Sequence, residues 1–261
     1  MPDRVSADVK AFLHRQLAAA RRVLHRSGFD LVRYVPADFD ADEQAVVRAV
    51  APFTMTGPLR VQSLVQGVRH VVDAGIEGAL VECGVWRGGS MMAAALSLKT
   101  KRTLDRDLYL FDTFDGMTAP SDEDRDFSGA PAEGGSVWRD AAADSSGWCA
   151  AGLEEVRANL IGTGYPPERI HLVQGRVEET LPTHAPDHIA LLRLDTDWYE
   201  STKHEMEHLF PRLERGGVLI LDDYGHWQGS RRAVDEYLAS QGLHLLLQRI
   251  DYTGRIAIKT E

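Results

Sequence analysis

Two pairs of aspartates stand where apolar, strand-like runs end. Asp195 and Asp197 follow a Leu-Arg-Leu run, and Asp222 and Asp223 follow a Leu-Ile-Leu run. Because ligands of an open α/β sheet bind at the carboxyl ends of its strands, we expect both pairs to face one crevice. Adjacent aspartates repel one another unless a cation or a basic partner offsets their charge. The alternative is that they are solvated loop acids, which are common at strand ends.

The ligand types in these pairs predict a hard divalent cation. Asp195, Asp222 and Asp223 are the candidate ligands. Oxygen ligands without histidine or cysteine favour Mg²⁺, Ca²⁺ or Mn²⁺ over zinc. Such an ion can hold a substrate diol and lower the pKa of the reacting hydroxyl. Asp197 is expected behind the ligands or facing the substrate, and His226 is a candidate base or substrate contact.

A glycine turn upstream predicts a small-molecule site. An apolar run ends at Cys83, and Gly84, Gly88 and Gly89 follow before Ser90 opens a helical pattern. This turn lacks the middle glycine of the dinucleotide fingerprint, which admits a pyrophosphate close to the backbone. S-adenosylmethionine, which has no diphosphate, is therefore the candidate ligand. The alternative is a tight turn that binds nothing.

The ends of two further strand-like runs offer contacts to such a nucleoside. Asp112 ends the run after the glycine turn, where a carboxylate can accept hydrogen bonds from a ribose diol. Gln174 and Gly175 end the next run and are candidates to flank the adenine, although a plain loop fits them equally well.

Hydrophobic periodicity alternates between strand and helix along most of the chain. Strands are predicted at 78–83, 108–112, 170–174, 189–195, 218–222, 243–248 and 255–259, and helices at 41–50, 60–74, 90–100, 153–160, 202–213 and 230–240. The helix before Gly216 is expected to use this glycine region as its C-cap. The alternation predicts an α/β fold, namely a Rossmann-like, doubly wound, seven-stranded sheet that is mostly parallel with an antiparallel edge hairpin.

Two regions lie outside this alternation. Residues 6–27 have the apolar spacing of an amphipathic helix. We therefore predict an N-terminal helical extension over 1–60, packed on the core or on a neighbouring subunit, and a ligand-binding domain over 61–261. Residues 115–150 contain many small and polar residues and few large apolar ones, which predicts a functional lid.

Composition excludes several classes of partner. The chain of 261 residues has a formal net charge of −10, which argues against a nucleic-acid backbone or an anionic membrane as its main partner. Its two cysteines indicate no disulfide framework. The N-terminus lacks the apolar core of a signal peptide, and no run approaches the roughly 18 apolar residues of a membrane span. A cytoplasmic location is expected.

Four motifs, in order, make the chain resemble the macrocin O-methyltransferase family, over about 54–237. They are Val-Glu-Cys-Gly-Val-Trp-Arg-Gly-Gly-Ser at 81–90, Phe-Asp-Thr-Phe-Asp-Gly at 111–116, Leu-Arg-Leu-Asp-Thr-Asp at 192–197 with Tyr199, and Leu-Asp-Asp-Tyr at 221–224. The resemblance implies a class I methyltransferase that uses S-adenosylmethionine and Mg²⁺ (or Mn²⁺) to methylate a hydroxyl, usually on a deoxysugar. It also implies a homodimer or higher homo-oligomer.

Carried over by motif, the resemblance implies specific site residues. The metal ligands are Asp195, Asp222 and Asp223. The residues around the cofactor are Thr54, Met55, Glu82, Gly84, Val85, Trp86, Arg87, Gly88, Ser90, Asp112, Thr113, Phe114, Gly116, Gly175 and Arg176.

The chain departs from its relatives where they carry a base. Macrolide-sugar members have a histidine in the lid, and this chain has none between Asp115 and Cys149. Catechol-type enzymes have a lysine three residues after the first metal aspartate, where this chain has Trp198. Candidate bases are therefore Asp195, His226, a lid acid such as Asp140, or no dedicated group.

Two other functions remain open on the sequence. A catechol- or phenol-directed methyltransferase would share the three metal carboxylates, and a non-catalytic protein that binds S-adenosylmethionine would share the turn. A nicotinamide dehydrogenase is disfavoured because the glycine turn differs from its fingerprint.

Overall fold

The computed structural model describes residues 21, 24–29, 33–132 and 149–261. The chain forms two compact units, residues 1–39 and residues 40–261. In the first unit, residues 24–26 are helical, and most of the helix predicted over 6–27 lies outside the described residues. Residues 41–60, predicted as part of the extension, belong to the second unit. Among the described residues, no helix is long and apolar enough to cross a bilayer.

A seven-stranded sheet organises the second unit, in the order β3-β2-β1-β4-β5-β7-β6. The strands are β1 (Ala79–Cys83), β2 (Leu108–Asp112), β3 (Ile170–Gln174), β4 (Ile189–Leu194), β5 (Leu213–Leu221), β6 (Gln248–Arg249) and β7 (Arg255–Ile258). The first five strands pair in parallel, and β7 pairs antiparallel with both β5 and β6. The predicted fold class is confirmed.

Helices cover both faces of this sheet. They are α1 (Ala41–Val50), α2 (Pro58–Asp73), α3 (Gly89–Thr100), α4 (Leu153–Gly162), α5 (Val177–Thr180), α6 (Tyr199–His208) and α7 (Gln228–Ser240). Gly67 of α2 lies against Leu191 of β4, while Met206 of α6 belongs to the same apolar cluster as Leu192. Because successive strand residues point to opposite faces, α2 and α6 must cover opposite sides. Both faces of the central strands are therefore buried.

Two predicted elements are wrong in extent. The helix predicted over 202–213 runs from Tyr199 to His208 and gives way to a 3₁₀ turn, Phe210–Arg212, because Pro211 cannot continue an α-helix. Gly216 lies within β5 instead of capping that helix. The strand predicted over 243–248 is reduced to β6, although the alternating Leu243, Leu245 and Leu247 do pack on the core.

The described first half of the predicted lid, residues 115–132, is bound to the starts of α6 and α7. Asp124 is buried and accepts hydrogen bonds from the Ser121 amide and hydroxyl and, at 2.8 Å, from the Tyr199 amide at the start of α6. Asp126 forms an isolated β-bridge with Trp227, next to α7. Residues 133–148, which include Asp140, lie outside the described residues.

Candidate active site

A cavity of about 310 Å³ lies at the carboxyl ends of the central strands. Its volume is within the range of small-ligand sites. Both the glycine turn and the two aspartate pairs line it. The predicted cofactor residues among its lining are Thr54, Met55, Gly84, Val85, Trp86, Ser90, Asp112, Thr113, Gly116, Gly175 and Arg176.

The glycine turn is fixed to the end of β2 by Asp112. One carboxylate oxygen, Oδ2, accepts hydrogen bonds from the amides of Val85 (2.6 Å) and Trp86 (3.1 Å). The other, Oδ1, accepts a hydrogen bond from the Phe114 amide at 2.7 Å. Gly84 has a φ of +79°, and a Cβ there would overlap the carbonyl oxygen of Asp195. The turn therefore requires glycine at this position.

Five predicted cofactor residues do not line the cavity. Phe114 and Glu82 are buried, and Gly88 turns toward Leu160 of α4. The Gln174 amide donates a hydrogen bond to the Thr113 carbonyl oxygen at 3.3 Å. Arg87 extends outward, with Nε 2.7 Å from a Glu155 carboxylate oxygen and Nη1 donating to the Pro52 carbonyl at 2.9 Å. Arg87 thus braces the turn from outside.

The predicted metal ligands converge. One carboxylate oxygen from each of Asp195, Asp222 and Asp223 lies within 4.8 Å of the others. Asp197 lines the same cavity, accepts a hydrogen bond from Trp227 Nε1 at 2.7 Å, and has its amide 3.3 Å from Asp223 Oδ2. The two aspartate pairs therefore do form one site, as their positions at strand ends predicted.

Two arginines that the sequence analysis did not assign contact these carboxylates. Arg193 donates to Asp195 Oδ2 at 2.7 Å and also to Asp222. Arg60 forms an ion pair with the other oxygen of Asp222, and its Nε lies 3.0 Å from Asp251. A charged residue inside the apolar Leu-Arg-Leu run was the available signal for Arg193. Arg60 begins an ordinary amphipathic helix pattern, and no local signal marks it.

The charge balance at this site fits a divalent cation. Burial raises the pKa of Asp195 and Asp223 well above the ordinary value, and repulsion from neighbouring aspartates adds to the shift. Burial, with the charge of Asp195, raises the pKa of Asp197 to about 7. Four aspartates thus face two arginines, and each arginine also pairs with a further acid, Arg60 with Asp251 and Arg193 with Glu82. The excess of buried oxygen donors is the set that Mg²⁺ or Mn²⁺ binds.

The structure does not bring His226 into this cavity. His226 lines a second cavity of about 570 Å³, and its Nδ1 lies 2.6 Å from the Tyr252 hydroxyl. Its ring packs on the far side of Trp227, with ring centroids 4.5 Å apart. Burial lowers the pKa of His226. Among the described residues, no histidine lines the first cavity.

Trp198 occupies the position where catechol-type enzymes have a lysine, and its side chain packs against neighbouring segments. Its side chain is buried, and its Nε1 donates to the Thr118 carbonyl oxygen at 2.9 Å. The ring meets Trp227 edge-on, with centroids 5.1 Å apart. Trp198 therefore ties the segment after β2 to the segment after β5.

Known proteins with similar structures and sequences identify the class and the family of this protein. The sheet order and the cavity are those of a Rossmann-like methyltransferase, and the chain is similar to the solved O-methyltransferase NovP (32% identity, TM-score 0.68, covering 80% of this chain and 83% of that one). The family model described as macrocin O-methyltransferase (TylF) matches residues 16–258. The chain belongs to the macrocin O-methyltransferase family and is an S-adenosylmethionine-dependent O-methyltransferase.

Two relatives are identical to this chain at about a third of the aligned positions. One is the 8-demethyl-8-(2,3-dimethoxy-alpha-L-rhamnosyl)-tetracenomycin-C 4'-O-methyltransferase of Streptomyces olivaceus, 35% identical over 77% of this chain and 73% of the relative. The other is the mycinamicin III 3''-O-methyltransferase of Micromonospora griseorubida, 31% identical over 77% of this chain and 76% of the relative.

We predict that Asp112→Asn weakens binding of S-adenosylmethionine at least tenfold. Asparagine replaces one accepting oxygen with an amide, so either the Phe114 amide or the amides of Val85 and Trp86 lose their partner, and the remaining bonds lose their charged acceptor. The free energy of unfolding should fall by about 1–3 kcal/mol. Isothermal titration calorimetry and urea unfolding measure the two effects. Asp115→Asn, at an exposed neighbouring position, is the control and should change neither. Unchanged cofactor affinity in Asp112→Asn would contradict the assigned role.

Proposed function

We propose that this enzyme transfers a methyl group from S-adenosylmethionine to a sugar hydroxyl of a glycosylated natural product, with Mg²⁺ or Mn²⁺ bound by Asp195, Asp222 and Asp223. The observation that carries the proposal is the convergence of these three carboxylates in the same cavity as the glycine turn. A cofactor at the turn and a hydroxyl at the carboxylates would then be neighbours.

The cofactor is expected along the turn and the end of β2. Asp112 accepts three amide hydrogen bonds, and its two oxygens have four acceptor sites. The Thr113 hydroxyl lies 3.4 Å from Oδ1, but the Gly116 carbonyl oxygen at 2.6 Å is its nearer acceptor, so one site is left for a ribose hydroxyl. Trp86 and Met55 give the cavity an apolar wall, and Gly175 continues it from the end of β3. An adenosine fits this combination of apolar surface and one acidic acceptor.

The activities of the two relatives support a sugar acceptor. One acts on a rhamnosyl tetracenomycin and the other on mycinamicin III. A catechol or phenol remains the second candidate, because two neighbouring hydroxyls of either acceptor can approach the same carboxylates.

The chain's own groups position the reactants and remove a proton. When bound, S-adenosylmethionine supplies the methyl group, and the cation supplies positive charge that favours ionisation of the acceptor hydroxyl. Holding two reactants in line is worth up to roughly 7–11 kcal/mol of the barrier. Asp197 lines the cavity beside the three ligands, and its orientation is fixed by Trp227. We assign Asp197 as the proton acceptor, ahead of Asp195, which serves as a ligand, and of His226.

The acceptor class can be tested directly. We expect methylated product with deoxysugar glycosides and not with catechol or caffeoyl substrates; it is detected as a mass increase of one CH₂ unit, because a methyl group replaces the hydroxyl hydrogen. The assay compares both acceptor sets, each with Mg²⁺ and after chelation by EDTA. Product from catechols alone would favour the second candidate, and no product from either set with cofactor bound would exclude both acceptor classes.

Metal dependence is tested by one substitution and one removal. We expect EDTA to abolish turnover and added Mg²⁺ or Mn²⁺ to restore it. Asp223→Asn should lower kcat at least a hundredfold because a ligand is lost, while calorimetry still detects S-adenosylmethionine binding. Asp105→Asn, an exposed aspartate away from the cavity, is the matched control. Full activity after exhaustive chelation would exclude the metal.

The role of Asp197 predicts a pH dependence. Asp197 must be ionised to accept a proton, so kcat should fall on acidification, with an apparent pKa no higher than about 7 because a bound cation lowers the value set by burial. Asp197→Asn should lower kcat by about 10²–10⁴ and remove this limb. Steady-state rates across pH 5–9 measure both. An unchanged acid limb in Asp197→Asn would assign the base elsewhere.

We also propose a homo-oligomer, on the basis of the family resemblance. The N-terminal helical extension is the candidate contact with a neighbouring subunit. Sedimentation equilibrium of the full chain would show a single monomeric species if this is wrong.

A further inference from the structure

We propose that Arg193 is a positioning residue that holds the carboxylates of Asp195 and Asp222 in the arrangement a divalent cation needs. This inference rests on the metal dependence proposed above. It assigns to Arg193 no contact with cofactor or acceptor.

The guanidinium of Arg193 bridges three strand ends. Its Nη1 donates to Glu82 Oε1 at 2.6 Å and to Asp195 Oδ2 at 2.7 Å, and its Nη2 donates to Asp222 Oδ1. Glu82 lies on β1, Asp195 follows β4, and Asp222 follows β5. Nη2 also lies 3.3 Å from the Thr56 hydroxyl. A planar guanidinium can make these contacts at once, whereas a lysine ammonium acts as a single charged point.

Arg193 acts from behind the site. Only 3% of its side chain is exposed, and it is not among the residues that line the cavity. Its partner Glu82 is equally buried, at 1%. Each carboxylate oxygen of Asp195 and Asp222 can accept from Arg193 and still offer its second lone pair to a cation. The guanidinium and the metal can therefore share these ligands.

Charge and positioning predict opposite effects of removing Arg193. A positive charge repels a nearby cation, so if Arg193 contributed charge alone, its removal would tighten metal binding. If Arg193 holds the two aspartates, its removal frees their side chains to separate under mutual repulsion, and metal binding weakens. The direction of the change therefore distinguishes the two roles.

The test measures Mn²⁺ binding directly, without turnover. Titrations followed by electron paramagnetic resonance of free Mn²⁺ give the dissociation constant for the full-length protein. The decisive variant is the double substitution Glu82→Gln with Arg193→Gln, which removes one charge of each sign and leaves the net charge unchanged. The matched control is Glu82→Gln alone, because glutamine keeps a carbonyl oxygen that can accept from Arg193. Arg193→Lys keeps the positive charge and loses the planar guanidinium, which donates to several carboxylates at once.

We expect the double variant to bind Mn²⁺ at least tenfold more weakly than the wild type. Arg193→Lys should also lose at least tenfold, and Glu82→Gln should stay within about fivefold. Thermal unfolding and binding of S-adenosylhomocysteine show whether each variant is folded. If the double variant does not fold, Arg193→Lys decides the question.

The outcomes separate this inference from the proposed function. A wild-type protein that binds no Mn²⁺ would overturn the metal site itself, and the positioning role with it. A wild type that binds Mn²⁺, with folded Arg193 variants that bind it equally or more tightly, would overturn the positioning role alone. Failure of both Arg193 variants to fold would assign this residue to the stability of the protein, which would also overturn the proposal.

Discussion

Electrostatic repulsion among the clustered carboxylates is the constraint on which this site depends. Two charges about 5 Å apart repel by about 3–4 kcal/mol at the effective dielectric constant found near protein sites. For the three converging aspartates, fully ionised, the sum approaches the whole stability of a typical domain, about 5–15 kcal/mol. Arg193 and Arg60 offset part of this repulsion, since both contact Asp222. The remaining negative charge is what the metal ion proposed above would neutralise.

The strand register explains how these groups meet. Glu82 and Arg193 are partners on the adjacent parallel strands β1 and β4. Because side chains alternate between faces, Asp195 lies on the same side of β4 as Arg193, two residues further on. Arg193 pairs in register with Ile220 of β5, and Asp222 follows two residues later. One face of these three strands thus brings the Arg193 guanidinium together with three carboxylates at the carboxyl ends of the strands. The carboxylates are those of Glu82, Asp195 and Asp222.

Local sequence patterns predicted several parts of this arrangement. The strands, the glycine turn and the convergence of the aspartates follow from apolar runs that end in acids, because parallel strands end at one edge. The Leu-Arg-Leu run marks Arg193 as an unusual charge in an apolar strand, but it could not identify Glu82 and Asp222 as partners, because both are far from Arg193 in the chain. His226 shows the converse limit: it is three residues from Asp223 in sequence, yet it lies in a different cavity. A residue close in sequence to a strand end can therefore lie on either side of the turn that follows the strand.

Trp198 and Trp227 form an aromatic wall behind Asp197, and Trp198 stands at the position of the catechol-type lysine. Trp198 is held by the Thr118 carbonyl and packs on Trp227, and the indole N–H of Trp227 donates to Asp197. A lysine in that position would bring a proton donor and a positive charge to a site that already contains two guanidinium groups. The tryptophans instead fix an acid without adding charge. Aromatic packing thereby sets the orientation of the proposed proton acceptor, and the neighbouring aspartates and arginines set its electrostatic surroundings.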